Sequence, residues 1–162
     1  MPNDSEREVD GDVITEEERV SNSQIEEHQI RTLHLVKHYG KGSKLVKAVN
    51  GVTFGVSFGE CFALLGVNGA GKSSTFKSLT SEIKPSSGAL HIGGYNVHNR
   101  AEFAVARKMM GYCPQQDCLF LGLTVKEHLN FYAKIKGVPQ NVRHFVVEKQ
   151  LDEMNLREYE NT

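Results

Sequence analysis

The run Gly66-Val67-Asn68-Gly69-Ala70-Gly71-Lys72-Ser73 constrains this chain more than any other stretch of it. It satisfies the pattern G-x-x-x-x-G-K-[ST], and it lies between an apolar run, Cys61 to Leu65, and a helix expected over Lys72 to Leu79. Glycines let this backbone curl so that successive N–H groups, through Asn68 and Ala70, point at one anion, while the helix starting near Lys72 adds its positive dipole end. In such a cradle Lys72 reaches the β- and γ-phosphates as a point charge, and the Ser73 hydroxyl is one ligand of Mg²⁺. The competing reading, a glycine-rich strand-to-helix turn without a ligand, explains neither the lysine nor the hydroxyl at these positions. Gly69 and Gly71 are expected to tolerate a side chain badly.

Around this loop the pattern is that of an α/β domain. Cys61 to Leu65 is continuously apolar, as a central strand buried on both faces would be. Ahead of it, Leu33 and Leu35 alternate with polar residues up to Tyr39, Gly40-Lys41-Gly42 make a turn, and Val52, Phe54 and Val56 alternate again, which predicts an antiparallel pair. Further on come a short strand through Leu90 and Ile92, a helix from Arg100 to Lys108, and another buried strand at Met109 to Tyr112. Cys113 to Asp117 is turn chemistry. Thr124 and Glu127 have capping-box spacing for a helix to about Lys136, stopped by Gly137 and Pro139. A last helix, with Val147, Leu151 and Met154 on one face, is expected to reach almost to Thr162.

Charge divides the chain unevenly. Residues 1–28 hold ten acidic side chains against Arg7 and Arg19, and residues 29–162 hold seventeen basic against ten acidic. The first segment has too few apolar residues to offset its chain entropy, so it reads as an acidic disordered linker. Thr15 and Glu18, in capping-box spacing, allow it at most a transient helix. The moderately basic remainder suits an anionic ligand and does not argue for nucleic acid. Cys61, Cys113 and Cys118 form no Cys-x-x-Cys pair, which points to reduced thiols and away from zinc. No stretch approaches the roughly 18 apolar residues of a membrane-spanning helix.

The pattern alone does not distinguish kinases, GTPases and transport ATPases. The residues flanking it do. Gly59-Glu60-Cys61-Phe62-Ala63-Leu64-Leu65 leading into the loop, and Ser73-Ser74-Thr75 leaving it, resemble the Walker A region of ATP-binding cassette (ABC) transporters, and Gly111-Tyr112-Cys113-Pro114-Gln115 resembles their Q-loop. The Cys61-Phe62 pair, Val67, the Ser73-Ser74-Thr75 run and the Cys-Pro-Gln form resemble the A subfamily, its second cassette in particular, which is associated with moving lipids and related amphiphiles. The resemblance implies a P-loop NTPase core with an antiparallel β subdomain, a partial nucleotide-binding domain over residues 29–162, and ATP with Mg²⁺ as ligands.

Carried over residue by residue, it puts Tyr39 on adenine, Gly66, Asn68, Gly69, Ala70, Gly71, Lys72, Ser73 and Ser74 on the phosphates, and Ser73 and Gln115 at Mg²⁺. Gln115 would also sense the membrane domain and the attacking water. Taken alone, Tyr39 reads first as an ordinary aromatic at a strand end, and Gln115 equally as a solvated turn residue. The implied partners are membrane-spanning domains and a second nucleotide-binding domain, at the cytosolic face of a membrane.

A full cassette also needs a Leu-Ser-Gly-Gly-Gln signature, an apolar strand ending in Asp then Glu, and a switch histidine, and none occurs in these 162 residues. Phe145-Val146-Val147-Glu148 lacks the Asp and lies in a helical pattern, so Glu148 reads as a surface residue. The resemblance thus implies a cassette truncated before those motifs, with Thr162 a fragmentary end. Binding should outlast hydrolysis in such a chain. The alternative is a stand-alone, non-catalytic nucleotide-binding module. A soluble kinase or GTPase is the weakest reading, since no Asn-Lys-x-Asp run is present to read guanine.

Overall fold

The computed structural model describes residues 10–162, which form two compact units, one reaching to Gly111 and the other spanning Tyr112–Thr162. In the first unit, helix α1 (Gly11–Asn22) precedes two long strands, β1 (His28–Tyr39) and β2 (Val46–Ser57). The phosphate-loop sequence leads into α2 (Lys72–Leu79), and β3 (Ser87–Ile92), a two-residue β4 (Tyr95–Asn96) and α3 (Arg100–Met109) follow. The strands make one antiparallel sheet in the order β2-β1-β3-β4.

Alternation builds this sheet, as the sequence predicts, but β1 carries a defect that the pattern hides. Both of its ladders shift register beside His34, whose φ of 47° marks a bulge, so Leu33 and Leu35 meet different partners across it. One face of the sheet is closed by α2 and α3. Leu35, Phe54, Val56, Leu90 and Ile92 pack there with Leu79 of α2 and Ala106 of α3. At roughly 25 cal/mol per Å² of apolar surface removed from water, this cluster is what holds the unit together.

The expected disorder over residues 1–28 does not extend to the part described. From Gly11 on it is α1, capped by Asp10, whose carboxylate accepts from the Asp12 amide, and not by Thr15. This helix docks on the sheet through polar groups that composition counts only as charge. The Glu16 carboxylate accepts the Gly55 amide at 3.0 Å, and Arg19 donates to the Gly55 carbonyl at 2.9 Å while pairing with Glu16. Arg31 of β1 donates twice to the Val20 carbonyl, and Val20 is fully buried. Gly55 is small for a reason of packing: a Cβ there would meet the His28 imidazole at 2.7 Å. Residues 1–9 lie outside the described chain.

Two expected strands are absent from the structure. Cys61–Leu65 carries no regular secondary structure, and of the strand expected over Met109 to Tyr112 the first residue ends α3 and the others carry none. A strand exists through a neighbour that takes up its N–H and C=O groups, and among the described residues none runs beside either segment. Leu65 is 86% exposed, whereas Phe62 stacks on Phe54 and Met110 packs against the core of the sheet.

The second unit is a helical hairpin of α4 (Val125–Ile135) and α5 (Gln140–Glu153). Thr124 and Glu127 form the expected capping box, the Thr124 hydroxyl accepting the Glu127 amide and the Glu127 carboxylate accepting the Thr124 amide at 2.8 Å. Gly137 turns the chain, and Ala133, Val147 and Leu151 make a small core with Leu129 and Leu156. Met154 is exposed and α5 ends at Glu153, short of the expected extent, because Asn155 takes a left-handed φ of 53° and a 3₁₀ turn, Arg157–Tyr159, follows.

Candidate phosphate-binding site

The loop before α2 has the backbone that its glycines require. Gly69 and Gly71 take φ of 87° and 88°, and Gly71 is the left-handed cap from which α2 starts. The Ala70 amide bonds the Val67 carbonyl at 3.1 Å, closing a turn over Asn68 and Gly69, and the Thr75 amide and hydroxyl both bond the Gly71 carbonyl. A Cβ on Gly71 would collide with the Ala48 carbonyl oxygen of β2 and press on Val49, whereas one on Gly69 would meet nothing within 4 Å. Both positions are selective against side chains, but only Gly71 is so by contact.

Lys72 folds back over the loop, its Nζ donating to the Gly66 carbonyl at 2.5 Å and the Val67 carbonyl at 2.9 Å. Three N–H donors on a lysine cannot be satisfied by two weak carbonyl acceptors as they would be by phosphate oxygens, so the ammonium is held ready across the loop. Ser73, in the first turn of α2, is exposed, and Asn68, Gly69 and Ala70 lie open to solvent. These features fit a polyphosphate: donors at a helix start, a cation over them, and a hydroxyl beside them able to ligate a divalent ion. No cluster of three or more His, Cys, Asp or Glu able to hold a metal occurs among the described residues.

Tyr39 is brought to the same site. It ends β1, and its hydroxyl lies 3.2 Å from the Ser74 Oγ of α2, linking two residues 35 apart in sequence. The ring is 40% exposed. Gln115 belongs to the second unit, exposed at a bend of the segment before α4. The three cysteines are free and exposed. Glu148 is held by Lys126 at 2.8 Å and by Arg157, and these cations keep its carboxyl at about 2, below the ordinary 4.5. What the sequence reading missed is the wall behind Gly71: Ala48 is an ordinary strand residue, and nothing local to it signals a loop more than twenty positions away.

Residues 49–162 match the family model described as ABC transporter. Rat ATP-binding cassette sub-family A member 7 is 44% identical over 133 residues, 82% of this chain, and mouse glucosylceramide transporter ABCA12 is 40% identical over 157 residues, 93% of it. The chain spans 6% of the length of each. Among solved structures, an ATP-binding subunit of an ABC transporter superposes with a TM-score of 0.65 at 29% identity, covering 83% of this chain and 53% of that one. A dimeric ATP-binding cassette bound to ADP and Pi superposes with a TM-score of 0.68 at 21% identity, covering 82% of this chain and 60% of that one, and shows the same fold.

A phosphate loop on this mixed α/β scaffold, matched over most of its length, makes the chain a member of the ABC transporter family and part of its nucleotide-binding domain. Within that family it is of the sub-family A kind, and it corresponds to part of a cassette.

Proposed function

We propose that this chain is the ATP-binding portion of an ABC transporter that couples ATP binding and hydrolysis to the movement of lipids or related amphiphiles across a membrane. The observation that carries the proposal is the Gly66–Ser73 loop, with Lys72 lying over it and Ser73 open at the start of α2. The lipid class rests on relatives whose names state it, the glucosylceramide transporter above and mouse phospholipid-transporting ATPase ABCA3, 40% identical over 127 residues, 78% of this chain and 7% of that protein.

In this reading Tyr39 stacks on adenine, the loop amides and Lys72 hold the β- and γ-phosphates, Ser73 and Gln115 ligate Mg²⁺, and Gln115 reports nucleotide state to the membrane-spanning domains. A second nucleotide-binding domain closes over the ATP, as expected of cassettes that dimerise. No helix among the described residues is long and apolar enough to cross a membrane, so the membrane association proposed here comes through those partner domains.

The reading assigns binding to this chain and hydrolysis to the larger protein. Glu148, its nearest imitation of a catalytic carboxylate, is committed to Lys126 and Arg157. That commitment equally favours a second reading, a non-hydrolysing module that regulates a complete cassette. Equilibrium titration with a fluorescent ATP analogue tests what both share. Binding that is lost on Lys72→Ala is expected, since Lys72 supplies the only side-chain cation of the loop. Unchanged affinity in that variant would remove the phosphate site. Loss of Mg²⁺-dependent ATPase in the membrane-bound parent carrying the same substitution separates the first reading from the second.

A further inference from the structure

The Tyr39 ring is braced from two directions, and the second brace has no place in the motif. Lys37 stands two residues earlier on β1, hence on the same face of the strand. Its Nζ lies 4.9 Å from the centroid of the Tyr39 ring, within the range where a cation is attracted to an aromatic face. The ammonium is not free to wander: it donates to the Lys84 carbonyl at 2.6 Å. Two residues on, the Ser86 amide bonds the Val36 carbonyl at 2.8 Å and the Ser86 hydroxyl accepts the His38 amide at 2.9 Å, fastening the segment that carries this carbonyl to the same strand.

We propose that Lys37 is a positioning residue for Tyr39, holding its ring for a purine base and thereby setting affinity for the base half of a nucleotide without touching the phosphates. The inference rests on the nucleotide-binding reading above. A ring has two faces. Lys37 occupies one, the hydroxyl is tied to Ser74, and the residue is 40% exposed, so a planar base would stack on the face opposite Lys37. Held at its hydroxyl alone, the ring would still turn about its Cβ–Cγ bond, the axis that leaves the hydroxyl in place, and a base would have to order it on binding. The ammonium removes that freedom beforehand, which is where pre-organisation gains affinity. Because the partner of Lys37 on its other side is a neutral carbonyl, its charge is not cancelled by that contact and remains available to the ring.

The test separates base from phosphate. ATP and inorganic tripolyphosphate, each with Mg²⁺, are titrated calorimetrically into the full chain and into Lys37→Met and Lys37→Arg variants. The expected result is that Lys37→Met weakens ATP binding about two- to five-fold, leaves tripolyphosphate binding unchanged, and that Lys37→Arg, which keeps a cation and a donor, restores the ATP affinity. An equal loss for both ligands would make Lys37 a phosphate contact and overturn the positioning role, as would no change for either. A loss that Lys37→Arg fails to restore would mean disruption of the strand end, and would overturn it too. A wild-type chain that binds neither ligand would sink the nucleotide reading itself, and the role of Lys37 with it.

Discussion

Gly69 and Gly71 have nearly the same φ, 87° and 88°, and different reasons for being glycine. At Gly69 an alanine faces open space and meets only the cost of a left-handed backbone, about 1 kcal/mol. At Gly71 the same conformational cost is joined by a collision with the Ala48 carbonyl, and backbone cannot rotate aside as a side chain does. Gly71→Ala is therefore expected to lower the unfolding free energy by about 3 kcal/mol or more and Gly69→Ala by about 1 kcal/mol, measured by urea titration of the two variants side by side. The reverse order would mean that β2 does not back the loop as the structure has it. Glycine's need for positive φ was legible in the G-x-x-x-x-G-K-[ST] spacing. The Ala48 wall was not, because close approach between a strand and a loop leaves no local pattern in either.

Among elements, the helices were the most legible and the pairing of strands the least. Lys72–Leu79 has the bounds read from sequence, and the Thr124 and Glu127 box starts α4 where its spacing puts it, since caps and periodicity are local. Cys61–Leu65 is the counterexample: an apolar run states that a segment would be buried in a sheet, but the ladder that makes it a strand belongs to its neighbours. Glu148 was readable as helical but not as the link between α4, α5 and the turn at Arg157. Lys126 and Arg157 depress its folded-state pKa to about 2, so its contribution to stability is fully present above its ordinary value of 4.5 and is lost as pH falls toward 2. Backbone amide signals of α4 and α5, followed in urea, are expected to show a midpoint that drops over that window. In Glu148→Gln the midpoint should be lower at neutral pH and the slope with pH shallower. An identical pH profile in the variant would show that the ion pairs do not bind the hairpin.

For the molecule as a whole, composition misjudged one boundary. An acidic segment with few apolar residues reads as a linker, and a domain start at Gln29 follows from that. In the structure, Val20 is buried against the sheet, and Arg31 of β1 finds its acceptor in the preceding helix. Removing residues 1–22 would leave a buried guanidinium and the Gly55 amide and carbonyl without these partners, which costs more than the pairs contribute when made. The shortened chain is expected to melt several degrees lower, by circular dichroism, and to scatter more light on storage than the full chain. Equal behaviour of the two would return the segment to the status of a linker. The Gly55 contact also has a consequence for how wide the sheet can grow. A residue on an outermost strand offers one amide and one carbonyl sideways, and here a carboxylate answers the first and a guanidinium the second. Glu16 and Arg19 thus impersonate the next strand at that point, and α1 acts as a terminator that occupies the site where a foreign strand would otherwise begin to add.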